Sequence, residues 1–376
     1  MPNYQSLLLS VVLGGAVSAT ASASPSSHLA RNENVLVFDA PAYETSTCPV
    51  QYLSTVQAYT YTKGSVNDVV NTFKGFLNSS GVEVDNEALE TLRSRSKYFA
   101  TTPIGGKVVE ISVDGCASEL FIGKTAVPTN VTDDAGMAED SASLGSCGRG
   151  DALTGRAVLG VGSGNQSPVN TIYKSGKKGW GVISDIDDTI KITGDGLEAI
   201  KATLIDEATP VSGMPDLYAA LTDLINPSWI YLTGSPWQLY GMLHEFIGTQ
   251  FATSQGPILM KNLTYTGVEG LLEFLAEGTS LEYKAGRIDD IHSWYPGKQY
   301  LGIGDSSASD PEAYAYAYHQ YGAEWMKCIW IHTVDGGNNT AARWEEAFKG
   351  IPESVYKLYS DPEELSPEAL LNGRCF

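Results

Sequence analysis

The sequence predicts an α/β protein. Its C-terminal half reads as a doubly wound, mainly parallel sheet, preceded by a helical segment and a small β-sandwich-like domain. Three observations carry this. After Lys177, five short apolar runs bounded by turns alternate with helical stretches, the pattern of strands buried on both faces. Between Gly105 and Tyr173, short β-rich runs are separated by Gly, Ser and Asp clusters. Segment 64–98 has helical spacing, with Val66, Val69, Val70, Phe73, Phe76 and Leu77 on one stripe and a second run from Asn86 to Tyr98. A chain of 376 residues, 43% hydrophobic and 18% charged, suits two or three domains with sizeable cores.

Taken from the N-terminus, residues 1–30 lack any charged side chain, and the run Leu7 to Ala16 is too short to span a bilayer. Ala19-Thr20-Ala21 and Ala21-Ser22-Ala23 offer the small-x-small pattern of a signal peptidase site, so residues 1–23 read as a secretory signal. A mainly helical segment, 32–103, and a β-rich domain, 104–175, follow. Gly160 to Gly164 reads as a turn, because Pro168 and strand-like sequence come after it instead of a helix. The parallel sheet occupies 176–366, with runs at Trp180 to Ile186, Trp229 to Thr233, Ile258 to Lys261, Tyr300 to Gly304 and Cys328 to Ile331. Helices are expected at Met214 to Leu224, Gly267 to Leu275 and Glu312 to Tyr321, and 367–376 as a tail. No stretch is long and apolar enough for a transmembrane helix.

The formal net charge is -20, from 24 Lys+Arg against 44 Asp+Glu. That excludes nucleic acid as a partner and disfavours adsorption to anionic bilayers, both of which require basic patches. Asn-x-Ser/Thr sequons at Asn78, Asn130, Asn165, Asn262 and Asn338 fit a secreted glycoprotein. The cysteines are Cys48, Cys116, Cys147, Cys328 and Cys375, without a CxxC, so a zinc site is not expected. Cys328 opens an apolar run and reads as a buried free thiol. The other four allow three pairings into two disulfides.

In a parallel α/β sheet the active site lies at the carboxyl ends of the strands, and three of these ends carry chemistry. The first is Ser184-Asp185-Ile186-Asp187-Asp188-Thr189. Carboxylates at i and i+2 on extended chain point the same way, so Asp185 and Asp187 can share one site. Such a pair can hold a divalent cation and supply nucleophile and general acid/base. The second end, Thr233-Gly234-Ser235-Pro236, offers a hydroxyl and free amides suited to a phosphoryl oxygen, with Ser235 as a helix cap and Pro236 at the first helical position. The third, Gly304-Asp305-Ser306-Ser307-Ala308-Ser309-Asp310, brings Asp305 and Asp310 to a strand tip. Lys284, twenty residues before Gly304, starts a helix-like stretch and can keep a nucleophilic carboxylate ionised. Lys261 competes for that role.

In order, an apolar strand with DxDxT, a strand ending in Thr, a lysine and a strand with GDxxxxD resemble the haloacid dehalogenase superfamily. Ile183 to Lys191, Tyr231 to Tyr240, and Gly304-Asp305-Ser306 with Asp310 to Tyr314 resemble the actin-patch-type phosphatidate phosphatase catalytic domain, over about residues 176–366. The resemblance implies a haloacid dehalogenase-like fold and a Mg2+-dependent phosphatase. Asp185 would be the nucleophile, forming an aspartyl-phosphate. Asp187 would protonate the leaving oxygen and activate water, with Thr189 orienting the turn. Mg2+ would be held by the Asp185 carboxylate, the Asp187 backbone carbonyl and Asp305, with Asp310 beside them. Thr233 would bind the phosphoryl group and Lys284 would neutralise it.

The implied substrate is phosphatidate, converted to diacylglycerol and phosphate with transient membrane contact. A soluble phosphomonoester and a non-catalytic binding protein on the same fold are the alternatives. Ser307 and Ala308 stand where the family has Gly-Glu, and Gly234 replaces a commonly polar residue. The 43 residues separating Thr189 and Thr233 leave little room for a large lid. Trp237, Tyr240, Trp294 and Tyr295 either border the site's mouth or belong to the core, Tyr314, Tyr318 and Tyr321 form a packing face, and His292 and His332 read as structural.

Overall fold

The computed structural model describes residues 29–30, 32–46, 50–116, 119–122, 131–158, 167–262 and 280–376. The expected signal at 1–23, the turn at Gly160 to Gly164, the helix at Gly267 to Leu275, Cys48 and the sequons at Asn130 and Asn165 lie outside them. Two sheets organise these residues.

The first sheet has nine strands: β1 (Asn34–Val37), β2 (Ala40–Glu44), β3 (Tyr52–Lys63), β4 (Thr101–Pro103), β5 (Val109–Val113), β6 (Glu119–Ile122), β7 (Met137–Gly145), β8 (Ala152–Val158) and β9 (Val169–Ser175). The twelve-residue β3 pairs with β1 and β2 on one side and with β4 and β7 on the other. Ser54, Val56 and Ala58 of β3 are buried while Thr55 and Gln57 between them are half-exposed, the period-2 alternation of a strand with one face on a core. Other strands of the sheet bury Val35, Ala42, Ile111, Leu144 and Ile172 in the same cluster. One sheet curled around its own core therefore stands where a small sandwich was expected. Segment 32–103 is not mainly helical, because β1 to β4 lie in it beside α1 (Val66–Ser79) and α2 (Asn86–Arg95). Those two helices start as their sequences suggest, with Ser65 and Asp85 capping through their side chains.

The second sheet is parallel throughout. Its strands are β10 (Trp180–Ser184), β11 (Ser228–Pro236), β12 (Ile258–Lys261), β13 (Gln299–Asp305), β14 (Met326–His332) and β15 (Tyr356–Tyr359), in the order β12-β11-β10-β13-β14-β15. Alternate residues face opposite layers. Val182, Tyr231, Leu301, Ile303 and Trp330 pack against helices α3 (Gly196–Leu204), α4 (Met214–Ile225) and α5 (Tyr240–Gln250). Ile183, Ile230, Leu232, Ile329 and Ile331 pack against α6 (Leu281–Trp294) and α7 (Asp310–Tyr321). Burial on both faces explains why these strands read as continuous apolar runs. The chain ends with α8 (Ala341–Ala347) and α9 (Pro367–Leu371). The strand order reverses between β10 and β13, which places the crevice of the fold at their carboxyl ends. No helix among the described residues is long and apolar enough to cross a membrane.

The two sheets meet at Asp39 and the start of α5. The Asp39 N–H donates to Tyr240 Oη at 3.0 Å, and its carboxylate accepts from the Thr171 N–H at 2.7 Å and ion-pairs with His244 at 3.1 Å. Phe38 packs edge-on to Tyr240, and Tyr59 lies 4.1 Å from the Trp237 ring. Trp237, Tyr240, Trp294 and Tyr295 are all buried, so the core reading holds for them and the mouth reading does not. Pro236 does not open a helix. It ends β11, and a 3-10 turn, Trp237–Leu239, intervenes before α5.

Cys328 is not a free thiol. It is disulfide-bonded to Cys375, and Cys116 to Cys147. The C-terminal residues 367–376 are thus no loose tail. Ala369 and Leu370 are buried, and Trp330 Nε1 donates to the Cys375 carbonyl at 2.8 Å.

Replacing Cys328 and Cys375 by Ala together should lower stability by about 2–4 kcal/mol in urea titrations, since the bridge constrains a long loop of the unfolded chain. The Asp39 hydrogen bond raises the His244 pKa from its ordinary 6.5, outweighing burial. A raised folded-state pKa gives stability that is fully present below about 6.5 and lost as pH rises through the folded value. The His244→Gln variant should therefore show a flatter decline of melting temperature across that window.

Candidate active site

Asp185 directly follows β10. Its N–H donates to the Ile303 carbonyl at 2.9 Å, so it continues the ladder with β13 at the point where the sheet diverges. Tyr314 of α7 closes that divergence from one layer, its hydroxyl donating to Ile303 O at 2.9 Å with Ile183 O at 3.2 Å. Beyond Asp185 the chain turns sharply. Asp188 adopts φ 57°, and its carboxylate accepts from the N–H groups of Thr193 and Gly194, which suits an Asp in left-handed backbone. His332 Nδ1 lies 2.8 Å from the Asp188 carbonyl, so this histidine supports the turn.

Lys284 sits at the fourth position of α6, whose start is capped by Ser280 accepting from the Tyr283 N–H. Its ammonium is 1% exposed and donates to Asp185 Oδ1 at 2.7 Å and Asp310 Oδ1 at 2.6 Å. Thr189 Oγ1 donates to Asp185 Oδ2 at 3.2 Å. Asp310, the first residue of α7, fits because residue 304 is glycine. A Cβ on Gly304 would lie 2.4 Å from the Asp310 Cβ. Asp305 ends β13, and its Oδ1 accepts from the Ser307 N–H at 2.6 Å and from the Ser307 hydroxyl. Ser307 thus supplies two donors that hold Asp305.

Asp185, Asp305 and Asp310 are buried, with a carboxylate oxygen from each lying within 4.8 Å of the others. Three carboxylates against the single ammonium of Lys284 leave two formal negative charges, the charge of one divalent cation. Asp310 Oδ2 is buried without a hydrogen-bond partner, a costly state for a carboxylate oxygen unless a cation meets it. Burial raises Asp185 well above the usual carboxylate range despite Lys284, and the neighbouring acids add to it. Burial and Asp310 raise Asp305 to about 6. For Lys284, burial acts to lower the pKa, but Asp185 and Asp310 outweigh it and keep the ammonium charged. The donor set is hard oxygen, which suits a divalent cation of the Mg2+ or Ca2+ type.

The Asp187 carboxylate is not part of this triad. Its Oδ1 accepts from Lys191 Nζ at 3.1 Å and Thr193 Oγ1 at 2.8 Å, and its Oδ2 from Thr233 Oγ1 at 3.2 Å and Ser235 Oγ at 2.8 Å. Burial would raise its pKa, but Lys191 and the hydroxyl donors hold it below the usual range. Every expected site residue thus falls at one crevice: Asp185, Asp187, Thr189, Thr233, Lys284, Asp305 and Asp310. The carboxylate of Asp187 belongs to the polar cradle beside the triad, not to the triad itself. The lysine on Asp185 is Lys284, and Lys261 ends β12 opposite Pro236.

Sequence reasoning missed three supporting residues. Ser235 acts through its hydroxyl on Asp187, where a helix cap was expected. Lys191 is 1% exposed, and its place in the DDTIK run marked it only as part of the motif. Arg343 of α8, remote in sequence, donates through Nη2 to the Ala308 carbonyl at 2.6 Å and pairs with Glu312 at 2.8 Å. It spans the loop that joins Asp305 to Asp310. No local signal in the sequence identifies it.

Residues 180–333 match the family described as Phosphatidate phosphatase APP1, catalytic domain. Phosphatidate phosphatase APP1 of Saccharomyces cerevisiae is 25% identical over 201 residues, covering 52% of this chain and 33% of that protein. The chain spans about a third of the length of this curated relative.

Arg343→Ala should leave the fold intact and weaken divalent-cation binding by roughly ten- to a hundredfold, the range seen when groups supporting ligands are removed. Calorimetric titration with Mg2+ measures it. Gly304→Ala should have an equal or larger effect, because Asp310 or the strand must shift to admit the methyl group.

Proposed function

Because residues 180–333 match the APP1 catalytic-domain family, we propose that the chain is a Mg2+-dependent phosphatase that works through an aspartyl-phosphate on Asp185. The observation that carries this is the Lys284 ammonium clamped between Asp185 and Asp310 at the switch point of the sheet. It orients one oxygen of a buried carboxylate and supplies positive charge where a phosphoryl group would arrive.

In this reading Asp185, Asp305 and Asp310 hold the cation, with the Asp187 carbonyl as a further ligand. When bound, Mg2+ supplies charge neutralisation for the phosphoryl oxygens. An Asp185 oxygen forms the bond to phosphorus as the ester P–O bond breaks, and the electron pair leaves with the alcohol oxygen. Asp187 gives that oxygen its proton. The approaching phosphate raises the Asp187 pKa, so that the acid form becomes populated. Asp187 then takes a proton from water as the water oxygen attacks phosphorus and the bond to Asp185 breaks. Thr233 and Ser235 hold the Asp187 carboxylate in place for both steps, and Lys284 stabilises charge on the transferring group.

Phosphatidate is the proposed substrate, yielding diacylglycerol and phosphate, on the strength of the relative's name. Transient contact with a membrane surface would deliver it. We also propose secretion. The two disulfides support it, as do the exposed sequon residues Asn78, Asn262 and Asn338. The net charge of -20 favours a soluble phosphomonoester as the second reading, since it opposes docking on an anionic surface.

Phosphate release from dispersed phosphatidate should require Mg2+ and exceed release from a soluble aryl phosphate. Asp185→Asn should reduce it about 10⁴-fold, the scale for loss of a nucleophile. Equal rates for the variant and the parent would overturn the enzyme, and activity on the soluble ester alone would overturn the lipid substrate.

A further inference from the structure

At the opposite end of the parallel sheet lies a feature the phosphatase reading does not use. A cavity of ≈ 310 Å³ opens at the amino ends of β10 and β11, where the curled sheet meets the parallel one. It is lined by Lys174, Lys178 and Lys298, with Asn226 and Ser228 beside them. Lys178 and Lys298 also line an adjoining cavity of ≈ 390 Å³, so these two lysines stand between the two spaces.

Lys298 is the unusual member. It is 5% exposed, as deeply placed as many apolar core residues. Its ammonium donates to the Lys178 carbonyl at 3.2 Å and lies 5.7 Å from the centre of the Tyr295 ring. It forms no ion pair with any described residue. Lys284 and Lys191, the other deeply buried lysines of the parallel domain, each contact a carboxylate. A buried ammonium with one neutral acceptor retains unused donors and uncompensated charge, which is expensive unless an anion joins it. Burial pushes its pKa down to about 8, against the pull of Glu44. Of the acids, Asp151 lines the cavity and Glu44 is near enough to be felt, but neither pairs with Lys298. Lys174 adds a second cation, which donates to the Gly148 carbonyl at 2.6 Å and stacks over Tyr52. Lys174, Lys178 and Lys298 thus all line one cleft in a chain of net charge -20.

We propose that this cleft is a second binding site, for a phosphate-bearing ligand, anchored by Lys298 and separate from the active site. Five residues of β10 separate it from Asp185, roughly 16 Å of extended chain. The phosphoryl oxygens would take the free donors of Lys298, with Lys174 and Lys178 supplying the balancing charge and Ser228 and Asn226 orienting the remainder. The shared chemistry is a phosphate monoester, whether free in solution or on a lipid headgroup.

Calorimetric titration with inorganic phosphate in EDTA tests this, because without a cation the carboxylates of the active site repel phosphate. One phosphate should bind per chain. Lys298→Met should weaken it at least about tenfold, the equivalent of one charge-assisted hydrogen bond. Lys298→Arg should largely retain it, and Asp185→Asn should leave it unchanged. Lys178→Gln, on the exposed rim, provides a partial loss if Lys298→Met fails to fold. Equal affinity in Lys298→Met or Lys178→Gln and the parent, or no binding at millimolar phosphate, would overturn the proposal. Flotation with phosphatidate-containing vesicles in EDTA separates the sources. Flotation that depends on Lys298 assigns a lipid headgroup, and flotation that does not, beside Lys298-dependent phosphate binding, assigns a soluble ligand. The experiment needs no catalysis, so its failure leaves the phosphatase reading untouched.

Discussion

The Lys284 ammonium, buried between Asp185 and Asp310, is the interaction on which the rest of the site depends. Breaking one side of such a buried pair leaves a carboxylate without compensation, which typically destabilises by about 3–5 kcal/mol. Here the imbalance is already present. Three carboxylates share one ammonium, and Asp310 Oδ2 has no partner. The site therefore carries an excess of negative charge that a divalent cation would neutralise. Without a cation the same excess of negative charge would repel a phosphate.

The backbone holds this arrangement through a small number of contacts at the switch point. Parallel strands β10 and β13 run side by side to Ser184 and Ile303, and Tyr314 joins the Ile183 and Ile303 carbonyls from the adjoining layer. Gly302 and Gly304 leave room for this. A Cβ at Gly302 would meet the Tyr314 ring at 2.8 Å, and one at Gly304 would meet Asp310. The two glycines on β13 thus let α7 approach closely enough for its first residue to enter the site. Arg343 then braces the intervening loop through the Ala308 carbonyl. A site positioned by strand ends, a helix start and a guanidinium brace is held more rigidly than one built on loops alone.

Legibility differed sharply between the two halves. The runs at Trp180 to Ile186 and Ile258 to Lys261 were readable because strands buried on both faces must be apolar throughout. β3 is not legible as an alternating strand, because only Ser54 to Ala58 alternate, with Thr55 and Gln57 half-exposed, whereas Tyr59, Thr60 and Tyr61 are buried on both faces. β15 was missed because only Tyr359 of its four residues is buried. Cys328 was misread for a related reason. An apolar strand disguises a cysteine whose partner, Cys375, lies 47 residues away in a segment that looked like a loose end.

By itself the sequence determined the chemistry: the order DxDxT, Thr, Lys, GDxxxxD selects the residue types that hard cations and phosphoryl groups require, and these sit beside apolar runs that can only be strands. Which groups touch was decided by the tertiary structure. It chose Lys284 over Lys261, placed the Asp187 carboxylate in the hydroxyl cradle and not in the cation triad, and recruited Arg343 from α8. Those choices depend on strand order and helix docking, and so on packing between residues tens to hundreds of positions apart. Local sequence encodes what each side chain can do. Only the crossing from β10 to β13 settles which of them meet.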